Sequence, residues 1–383
     1  MAARPMVCLQ VGRTGSDANG APVYCRGTLT VIRVALVGYG YAGRTFHAPL
    51  IRATRGLELV AISSSRREQI ATDLPGVVVT SSAQDTYTSA SVDLVVIATP
   101  NDTHAPIACA ALRAGKHVVV DKPFAITLDE ARDIVKLAQT TGRVLAVFHN
   151  RRWDGDFLAL KDLVASRARG EVAHFESHFD RYRPQLRARW REQPGAGTGL
   201  WHDLGPHLVD QSLQLFGLPD RVQAILAAQR RGAETDDWAH VILDYSRRQA
   251  ILHASLLVRA RLPRFIVHGD SGSWVKYGLD SQESRLHAAL GLSEGRIAEH
   301  EHAVLIDGAT GVERETPIPS GDYTQFYAQL RDAVDGAGPN PVPPAQAVVV
   351  TAVVEAAIES ATKRRAVSVP LTDAELRDSA TVG

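Results

Sequence analysis

The sequence VIRVALVGYGYAG, residues 31–43, decides the fold. Its first half, residues 31–37, is a β-branched and aliphatic run with a single arginine, which is typical of a strand buried on both faces of a parallel sheet. In the glycine spacing that follows, Gly38 permits a tight turn, Gly40 lets the backbone approach a pyrophosphate, and Gly43 lets helix and strand pack closely. The stretch therefore predicts a first strand, a dinucleotide-binding loop and a first helix.

Strand and helix patterns alternate from this stretch up to Phe148. Further apolar runs of strand length fall at residues 57–62, 77–79, 93–98, 117–120 and 144–148, and helical patterns fall at 103–114 and 128–140. Such alternation is typical of an α/β fold with a doubly wound parallel sheet, the Rossmann arrangement.

The pattern changes after Phe148. A helix is predicted at 154–166, and the later runs of period-two character lack regular intervening helices; they fall at 172–179, 221–229, 238–245, 249–258 and 264–268. They predict an α+β domain with a large open, mainly antiparallel sheet, one face of which is covered by helices. We therefore predict a poorly ordered extension at 1–30, whose place in the native protein stays open, an NAD(P)-binding Rossmann domain at 31–148, and a substrate-binding and oligomerisation domain at 149–383 with a closing helix at 345–363.

The bulk composition excludes several classes of function. Apolar residues make up 45% of the 383 residues, which is ordinary for a globular protein, and Lys plus Arg equals Asp plus Glu at 42 each. Because positive and negative charges balance, the protein has no net positive electrostatic field that would attract nucleic acid or an anionic membrane. The sequence has no uninterrupted run of about 18 apolar residues, so we expect no membrane span. Three cysteines cannot form a disulfide framework, which predicts a cytoplasmic protein.

The loops that follow the predicted strands are expected to hold the cofactor, because ligands of such sheets bind outside the carboxyl ends of the strands. The glycine loop contributes Gly38, Tyr39, Gly40, Tyr41, Ala42 and Gly43. The loops after the fourth and fifth strands contribute Thr99, Pro100, Asn101, His104, Asp121 and Lys122. Of these, Thr99, Pro100 and Asn101 are expected to line the nicotinamide ribose.

The end of the second strand favours NADP over NAD. An NAD site usually places a carboxylate about 20 residues after the glycines, where it holds the ribose hydroxyls. Here the sequence reads Ser63, Ser64, Ser65 and Arg66, and the first acid is Glu68. Hydroxyls and a forked guanidinium suit a 2′-phosphate, which a carboxylate would repel. The alternative interpretation is a solvated arginine at the start of a helix.

The tripeptide Asp121-Lys122-Pro123 follows the fifth strand. A lysine beside the nicotinamide pocket can hydrogen-bond the substrate oxygen and stabilise developing alkoxide charge. Here the chain resembles the glucose–fructose oxidoreductase and inositol dehydrogenase family (Gfo/Idh/MocA), whose hallmarks are a GxGxxG Rossmann half, a Glu-Lys-Pro tripeptide and an Asp-x-Gly-x-His stretch that opens a helix. The last hallmark is present as DLGPH at residues 203–207, whereas Asp121 replaces the family's glutamate.

The resemblance implies a catalytic trio of Lys122, Asp203 and His207 around the reacting carbon. His207 would be the general acid or base, since imidazole exchanges a proton near neutral pH. Asp203, four residues earlier and on the same helix face, would fix the substrate hydroxyl and bias the charge state of the histidine. Taken alone, Asp203 is equally a helix cap and His207 a buried polar residue.

Longer stretches narrow the resemblance to one branch of the family. VGYGYAGRTFHAPLI, ATPNDTH, KHVVVDKPF, VFHNRRWDGDF and ESHFDRYRP are similar to the bacterial branch that includes NADP-dependent scyllo-inositol dehydrogenases. The likeness implies a cyclic polyol or sugar as substrate, and a homodimer or homotetramer formed through the open sheet. Asn150, Arg152, Trp153 and Tyr182 are expected to contact the substrate. For Arg152, a salt bridge between the domains is the alternative.

Other functions compete with this one. A zinc-dependent alcohol dehydrogenase is disfavoured because His104 and Cys109 are the only close His–Cys pair after the extension, so no metal site is expected. A sensor that binds NADP without turnover would need the glycine loop but not the trio. An enzyme that cleaves glycosides through transient oxidation would retain its cofactor, with no net change in nicotinamide absorbance. Family members that reduce biliverdin or imines would prefer a less polar cleft.

Overall fold

The computed structural model describes residues 31–291 and 302–380, so the predicted extension at 1–30 lies outside the described residues. The first sheet is built from β1 (Ile32–Val37), β2 (Leu57–Ser63), β3 (Val78–Thr80), β4 (Leu94–Ile97), β5 (His117–Val120) and β6 (Leu145–Val147). The helices between these strands are α1 (Ala48–Ala53), α2 (Arg67–Asp73), α3 (Ala83–Thr88), α4 (His104–Arg113) and α5 (Leu128–Thr141). A π-helical turn, Gly43–His47, leads into α1.

The second part of the chain forms a second sheet and its covering helices. Its strands are β7 (Val172–Asp180), β8 (Arg221–Ala227), β9 (Trp238–Asp244), β10 (Gln249–Ser255), β11 (Pro263–Gly269), β12 (Gly272–Tyr277), β13 (His302–Asp307) and β14 (Glu313–Pro317). Its helices are α6 (Gly155–Ala165), α7 (Leu200–Phe216), α8 (Gln282–Ala289), α9 (Thr324–Val334), α10 (Pro344–Lys363) and α11 (Asp373–Ala380).

The strand order of the first sheet fixes where a ligand can bind. Within the described ranges the sheet has six strands in the order β3-β2-β1-β4-β5-β6, all paired in parallel. The Rossmann prediction is therefore confirmed. Because β1 pairs with β2 on one side and with β4 on the other, the order reverses beside β1. The crevice outside the carboxyl end of β1 is the place where such sheets bind nucleotides, and the loop at Gly38 lies there.

Local sequence anchors the segment after Lys122. The Thr127 side chain accepts a hydrogen bond from the Glu130 backbone, and the Glu130 carboxylate accepts from the Thr127 backbone, which is a capping box at the start of α5. The helix ends at Gly142, in the left-handed conformation that favours glycine. Its apolar side packs into the core of the first sheet. The loop that presents Lys122 is thus held at both ends by regular structure.

The second sheet has eight strands in the part of the chain that is described, in the order β14-β13-β12-β11-β7-β10-β9-β8. There, β7 and β10 are the only parallel neighbours, so the prediction of a mainly antiparallel sheet is confirmed. Along β7, Phe175 and Phe179 face the core shared with α7 and α10, and the alternate side chains face away. We call this second side the open face.

The sequence patterns did not predict β12, β13 and β14. In β14, four of the five residues are exposed, so it has no alternation of apolar and polar residues to detect. Its strand structure follows from pairing with β13, which in turn pairs with β12. Hydrogen bonds between strands that are distant in sequence extend the sheet through β12, β13 and β14, and a local sequence pattern does not reveal such pairing.

The closing helix α10 joins the two cores. Ala347 and Ala352 belong to the core of the first sheet, whereas Val353 and Ala357 belong to the core of the second. Among the described residues, α10 is the one helix long and apolar enough to cross a membrane by length and composition. Most of that stretch is buried inside the protein, as expected for a core helix that both domains surround.

Candidate active site

The three glycines of the loop after β1 have different surroundings. Gly38 has a φ of +100°, and a Cβ there would overlap the carbonyl oxygen of Ala98 at the end of β4. A Cβ on Gly43 would overlap the carbonyl oxygen of Gly38. A Cβ on Gly40, by contrast, would meet no atom of the described residues within 4 Å. The space beside Gly40 is therefore where a pyrophosphate can approach the backbone, as the glycine spacing requires.

The hydroxyls of the two tyrosines in the loop are bonded to carboxylates of other segments. Tyr39 is buried, and its hydroxyl donates to Asp73 at 3.1 Å, the carboxylate that also accepts from Arg44 at 2.7 Å. The hydroxyl of the half-exposed Tyr41 donates a short hydrogen bond to Glu283 on α8. Both side chains brace the loop, so its backbone is the part available to a phosphate group.

The end of β2 presents hydroxyls and a guanidinium on the rim of the crevice. Ser63 is buried, Ser64 accepts a hydrogen bond from the backbone N–H of Arg66 at 3.2 Å, and Ser65 is exposed. The exposed Arg66 side chain makes one long contact, 3.4 Å, to Gln69. Its donors are therefore largely available to a ligand at the amino end of α2.

The residues after β4 tie the two domains together. Asn101 is buried and donates from Nδ2 to the carbonyl of Gly197 in the second domain at 2.8 Å. Its Oδ1 is buried without a hydrogen-bond partner in the described ranges. The hydroxyls of Thr99 and Thr103 are 2.6 Å apart, and Pro100 precedes a short helical turn at Asn101–Thr103. The unpaired amide oxygen faces a buried position that a bound ligand can complete.

His104 has a positioning role. Its Nδ1 lies 2.8 Å from the Pro123 carbonyl oxygen and its Nε2 lies 3.0 Å from that of Thr99. Burial lowers the pKa of this imidazole, so it is neutral near pH 7 and donates to one of the two carbonyls. The ring bridges the loops after β4 and β5 and so helps to place Lys122, which precedes Pro123 by a cis peptide bond.

Lys122 and Asp203 meet across the domain boundary. The Lys122 ammonium donates to the Asp203 carboxylate at 3.0 Å and to the Asp203 backbone carbonyl at 2.7 Å. Arg191 Nε lies 3.4 Å from the same carboxylate. Burial alone would raise the pKa of the Asp203 carboxyl, but the charges of Lys122 and Arg191 outweigh it and lower the pKa. Asp203 is therefore ionised throughout the physiological pH range.

The first turn of α7 is fixed by a carboxylate from another loop. Asp236 accepts a hydrogen bond from the Trp201 backbone N–H at 2.7 Å, and its own carbonyl accepts from Leu200. Gly199, with a φ of +92°, leaves room for this carboxylate, because a Cβ there would overlap it. This cap orients the helix that carries both Asp203 and His207.

His207 lies one turn beyond Asp203, 6% exposed, with its ring stacked against Phe179 at a centroid distance of 6.5 Å. Its Nδ1 is buried and accepts or donates no hydrogen bond within the described part of the chain. Burial, reinforced by the positive charges of Lys122 and Arg151, lowers the pKa of His207 well below its usual value. The imidazole of His207 is therefore neutral near pH 7 in the free protein.

Asp121, the departure from the family's glutamate, lies behind Lys122. Its Oδ1 accepts from the Lys122 backbone N–H at 2.9 Å and stops 3.7 Å from Nε2 of His47. Burial would raise the pKa of Asp121, but His47 and Lys122 lower it overall. The shorter side chain thus supports the lysine loop from below and does not itself extend into the crevice.

The residues predicted to contact substrate lie in different environments. Asn150 is buried, and Trp153 packs edge-on against Phe326 with ring centroids 5.8 Å apart. Arg152 is buried in a bidentate pair with Asp210 and also donates to Gln346 at 2.7 Å. Its donors are used by these partners, both of which lie in the second domain, so the salt bridge is within that domain and not between the two. Tyr182 is 49% exposed, just beyond the end of β7.

The structure adds residues that the sequence analysis did not assign. Arg191 reaches Asp203 from the loop between β7 and α7, and Glu283 joins Tyr41 to Arg151, with which it pairs at 2.8 Å. The guanidinium of Arg151 lies 4.8 Å from the ring centre of Phe179. A run of arginines at 181, 183, 187, 189 and 191 was visible in the sequence, but its loop has no periodicity that would indicate which of them reaches the site.

Comparisons with known proteins agree with this arrangement. Residues 32–149 match the family model described as oxidoreductase family, NAD-binding Rossmann fold, and residues 161–371 match that of the oxidoreductase family, C-terminal alpha/beta domain. The uncharacterized oxidoreductase YdgJ of Escherichia coli is 52% identical over 87% of this chain and 97% of its own length. The scyllo-inositol 2-dehydrogenase (NADP(+)) IolW of Bacillus subtilis is 35% identical over 89% and 97%.

A solved structure extends the likeness to three dimensions. The crystal structure of a Klebsiella pneumoniae protein has a TM-score of 0.84 and 48% sequence identity, and the match covers 92% of this chain and 99% of that one. Both sheets and the cleft between them are therefore shared with a related chain.

The contrast between Gly40 and Gly43 gives a direct test of the nucleotide site. We expect Gly40→Ala to unfold at a temperature close to that of the wild type, because its Cβ enters open space, and to bind NADPH at least about tenfold more weakly, because that space is needed by the pyrophosphate. Gly43→Ala should instead lower the melting temperature, since its Cβ overlaps backbone. Fluorescence titration and thermal scans measure both quantities. Unchanged NADPH affinity in a folded Gly40→Ala variant would contradict the assignment.

Proposed function

The chain belongs to the Gfo/Idh/MocA oxidoreductase family, and we propose that it is an NADP-dependent dehydrogenase of a cyclic polyol or sugar, with a scyllo-inositol-like ring favoured. The observation that carries this proposal is the contact of Lys122 with Asp203 at 3.0 Å, beside a buried neutral His207 and on the carboxyl edge of the nucleotide-binding sheet. Family membership supports a NAD(P)-binding oxidoreductase that acts on CH–OH groups. Substrate and cofactor preference are our proposals.

The trio divides the chemistry of alcohol oxidation among three groups. Lys122 donates a hydrogen bond to the substrate oxygen and stabilises the negative charge that develops on it. His207, neutral before reaction, accepts the hydroxyl proton, a step that typically contributes about 10²–10⁴ in rate. Asp203 accepts a hydrogen bond from a substrate hydroxyl and holds the ammonium in place. When bound on the carboxyl edge of the first sheet, a nicotinamide would supply the hydride-transfer chemistry in either direction.

The residues at the end of β2 support NADP. Arg66 is exposed beside Ser64 and Ser65, and Glu68 lies in the first turn of α2 instead of at the strand end. A 2′-phosphate at this rim would receive charge-assisted hydrogen bonds from the guanidinium. The Bacillus subtilis relative is described as an NADP(+) enzyme, which agrees with this preference.

Polar and aromatic groups at the cleft support a hydroxylated ring as substrate. We propose that Asn150, Trp153 and Tyr182 lie on the substrate side, together with Arg191, which already contacts Asp203. Arg152 is left out because its guanidinium is committed to Asp210 and Gln346. The name of the Bacillus subtilis relative, a scyllo-inositol 2-dehydrogenase, favours an inositol over an acyclic sugar.

We also propose that the protein is a cytoplasmic homodimer or homotetramer assembled through the open face. Ile225 on β8 is 60% exposed there, opposite His240 of β9, and burial of such apolar surface favours association. The described Cys109 is a free thiol, which suits a reducing compartment. A monomer mass by light scattering at micromolar concentration would contradict the assembly.

A polyol and sugar panel tests the proposed function. Nicotinamide absorbance should report turnover with a cyclic polyol or sugar, with kcat/KM at least about tenfold higher for NADP than for NAD. Arg66→Ala should lower kcat/KM with NADP roughly ten- to hundredfold, the value of a charge-assisted hydrogen bond, and leave turnover with NAD within about twofold. Arg67→Ala is the matched control, because its guanidinium donates to the Val79 carbonyl at 3.3 Å. Preference for NAD would overturn the cofactor assignment, and NADP binding without turnover on the whole panel would favour a sensor.

The pH profile tests the role of His207. Since its pKa in the folded protein lies below 6.5, the neutral base predominates at neutral pH, and kcat/KM for oxidation should fall about tenfold per pH unit only at more acid pH. The kcat of His207→Gln should be about 10²–10⁴ lower than that of the wild type. Its kcat/KM should also no longer fall at acid pH, the part of the profile that we call the acid limb. His202→Gln is the control on the same helix, with Nδ1 bonded to the Thr198 carbonyl at 2.9 Å, and should keep the limb. An acid limb centred above pH 7, or one that survives in His207→Gln, would contradict this role.

A further inference from the structure

The open face of the second sheet carries a cluster of imidazoles and carboxylates at its centre. Alternate residues of β7 face this side, and β10 and β9 add histidines beside them; the group is His174, Glu176, His178 and Asp180 with His253 and His240. His253 lies opposite His178 across the parallel pair and opposite His240 across the antiparallel pair. The cluster is separated from the active site by the sheet itself, since Phe179 faces the other side, where it stacks on His207.

Three side chains of this cluster converge on one point. His178 Nδ1 and His253 Nε2 each lie 3.5 Å from an oxygen of Asp180, one on either side of the carboxylate. One potential ligand atom from each residue falls within 4.8 Å of the other two. Ligand atoms held about 2.1 Å from a tetrahedral metal ion are about 3.4 Å apart, and each 3.5 Å spacing, one to Oδ2 and one to Oδ1 of Asp180, is close to this value.

The Asp180 carboxylate is buried, and its nearest partners, the two imidazole nitrogens, stand 3.5 Å away. Its side chain is 10% exposed, and in the described ranges neither of its oxygens accepts a hydrogen bond. Nδ1 of His178 is also buried without a hydrogen-bond partner among those residues. An imidazolium–carboxylate pair would close to about 2.7–2.9 Å, well inside the spacing seen here. A buried carboxylate between two imidazoles that stand off from it indicates a group that binds all three.

Neighbouring hydrogen bonds orient the rings for metal binding. His178 Nε2 lies 2.7 Å from Glu176 Oε2, which leaves Nδ1 as the ring nitrogen that faces Asp180. Glu176 is held in turn by His174 Nε2 at 2.7 Å. His253 Nδ1 lies 3.3 Å from His240, which leaves Nε2 toward Asp180. A carboxylate behind a ligating histidine is the usual support of a zinc ligand.

We propose that His178, Asp180 and His253 bind one divalent transition-metal ion per chain, of the Zn²⁺ type, with water at the fourth position. Two imidazole nitrogens and one carboxylate favour zinc-like ions over Mg²⁺ or Ca²⁺, which prefer oxygen ligands. The ion joins β7 to β10, the parallel pair at the centre of the sheet, and takes no part in hydride transfer. No metal site was expected from the sequence because His104 and Cys109 are the only close His–Cys pair after the extension. His253 lies 73 residues after Asp180, so no short ligand spacing joins these residues.

Metal titration of the full chain tests the proposal. Protein treated with a chelator should bind one Zn²⁺ or Co²⁺ per chain, with a Kd on the order of 1 µM or tighter, and Co²⁺ should give the visible absorption of a tetrahedral site. Asp180→Asn and His253→Gln should each weaken Zn²⁺ binding at least about tenfold. His268→Gln is the matched control on the open face, since its Nδ1 is bonded to Ser273 at 2.7 Å, and should bind like the wild type.

Thermal scans provide a second measurement of Zn²⁺ binding, which can be made on any variant that folds. Zn²⁺ should raise the melting temperature of the wild type and of His268→Gln, and should not raise that of folded His253→Gln. If Asp180→Asn does not fold, His253→Gln alone carries the comparison. The absence of stoichiometric binding below about 100 µM metal, or equal affinity in the wild type and His253→Gln, would overturn the site. The metal-site proposal does not depend on the proposed oxidoreductase activity. If that activity is absent, the substrate panel will show no turnover, while metal binding will be unchanged.

Discussion

The contact between Lys122 and Asp203 is the constraint on which the arrangement of the site depends. It joins the carboxyl end of β5 in the nucleotide-binding sheet to the first turn of α7 on the second sheet, at 3.0 Å. Two charges on separate domains stay this close only if the scaffold fixes the position of both. Three features fix them: the capping box of α5, the Asp236 cap on α7, and the helix α10 that packs in both cores. In the proposed mechanism, the reacting carbon of a substrate would lie in this frame beside Lys122, Asp203 and His207.

Buried polar groups in this protein fall into two classes. Some are fully paired, such as Arg152 with Asp210, and this pair fixes the segment after β6 to α7 within the second domain. Others make no hydrogen bond to the described residues, among them Asn101 Oδ1, His207 Nδ1 and the Asp180 carboxylate. Because a buried polar group without a hydrogen bond is costly, we infer that these three groups mark places where a ligand completes the structure. Two of the three lie at the proposed active site, and the third lies at the proposed metal site.

The sequence predicted what short-range patterns encode. Residues 31–43 predicted β1, the loop and its helix, and the Asp-Lys-Pro and DLGPH stretches predicted Lys122 and Asp203, which the fold brings together. It did not predict β14, whose residues have no apolar alternation, or the approach of Arg191, which depends on the path of an irregular loop. The pairing of His178 with His253 depends on strand register between distant segments. Such contacts arise from tertiary structure and leave no local periodicity.

A double-mutant cycle at the contact between the domains tests this account most directly. Lys122→Met, Asp203→Asn and the double variant would be compared with the wild type by kcat/KM for the best substrate of the panel. If the two side chains act as one unit on the substrate oxygen, the double variant loses at least about tenfold less than the product of the single losses. Losses that multiply would show that the residues act independently, and would contradict the central place given to this contact.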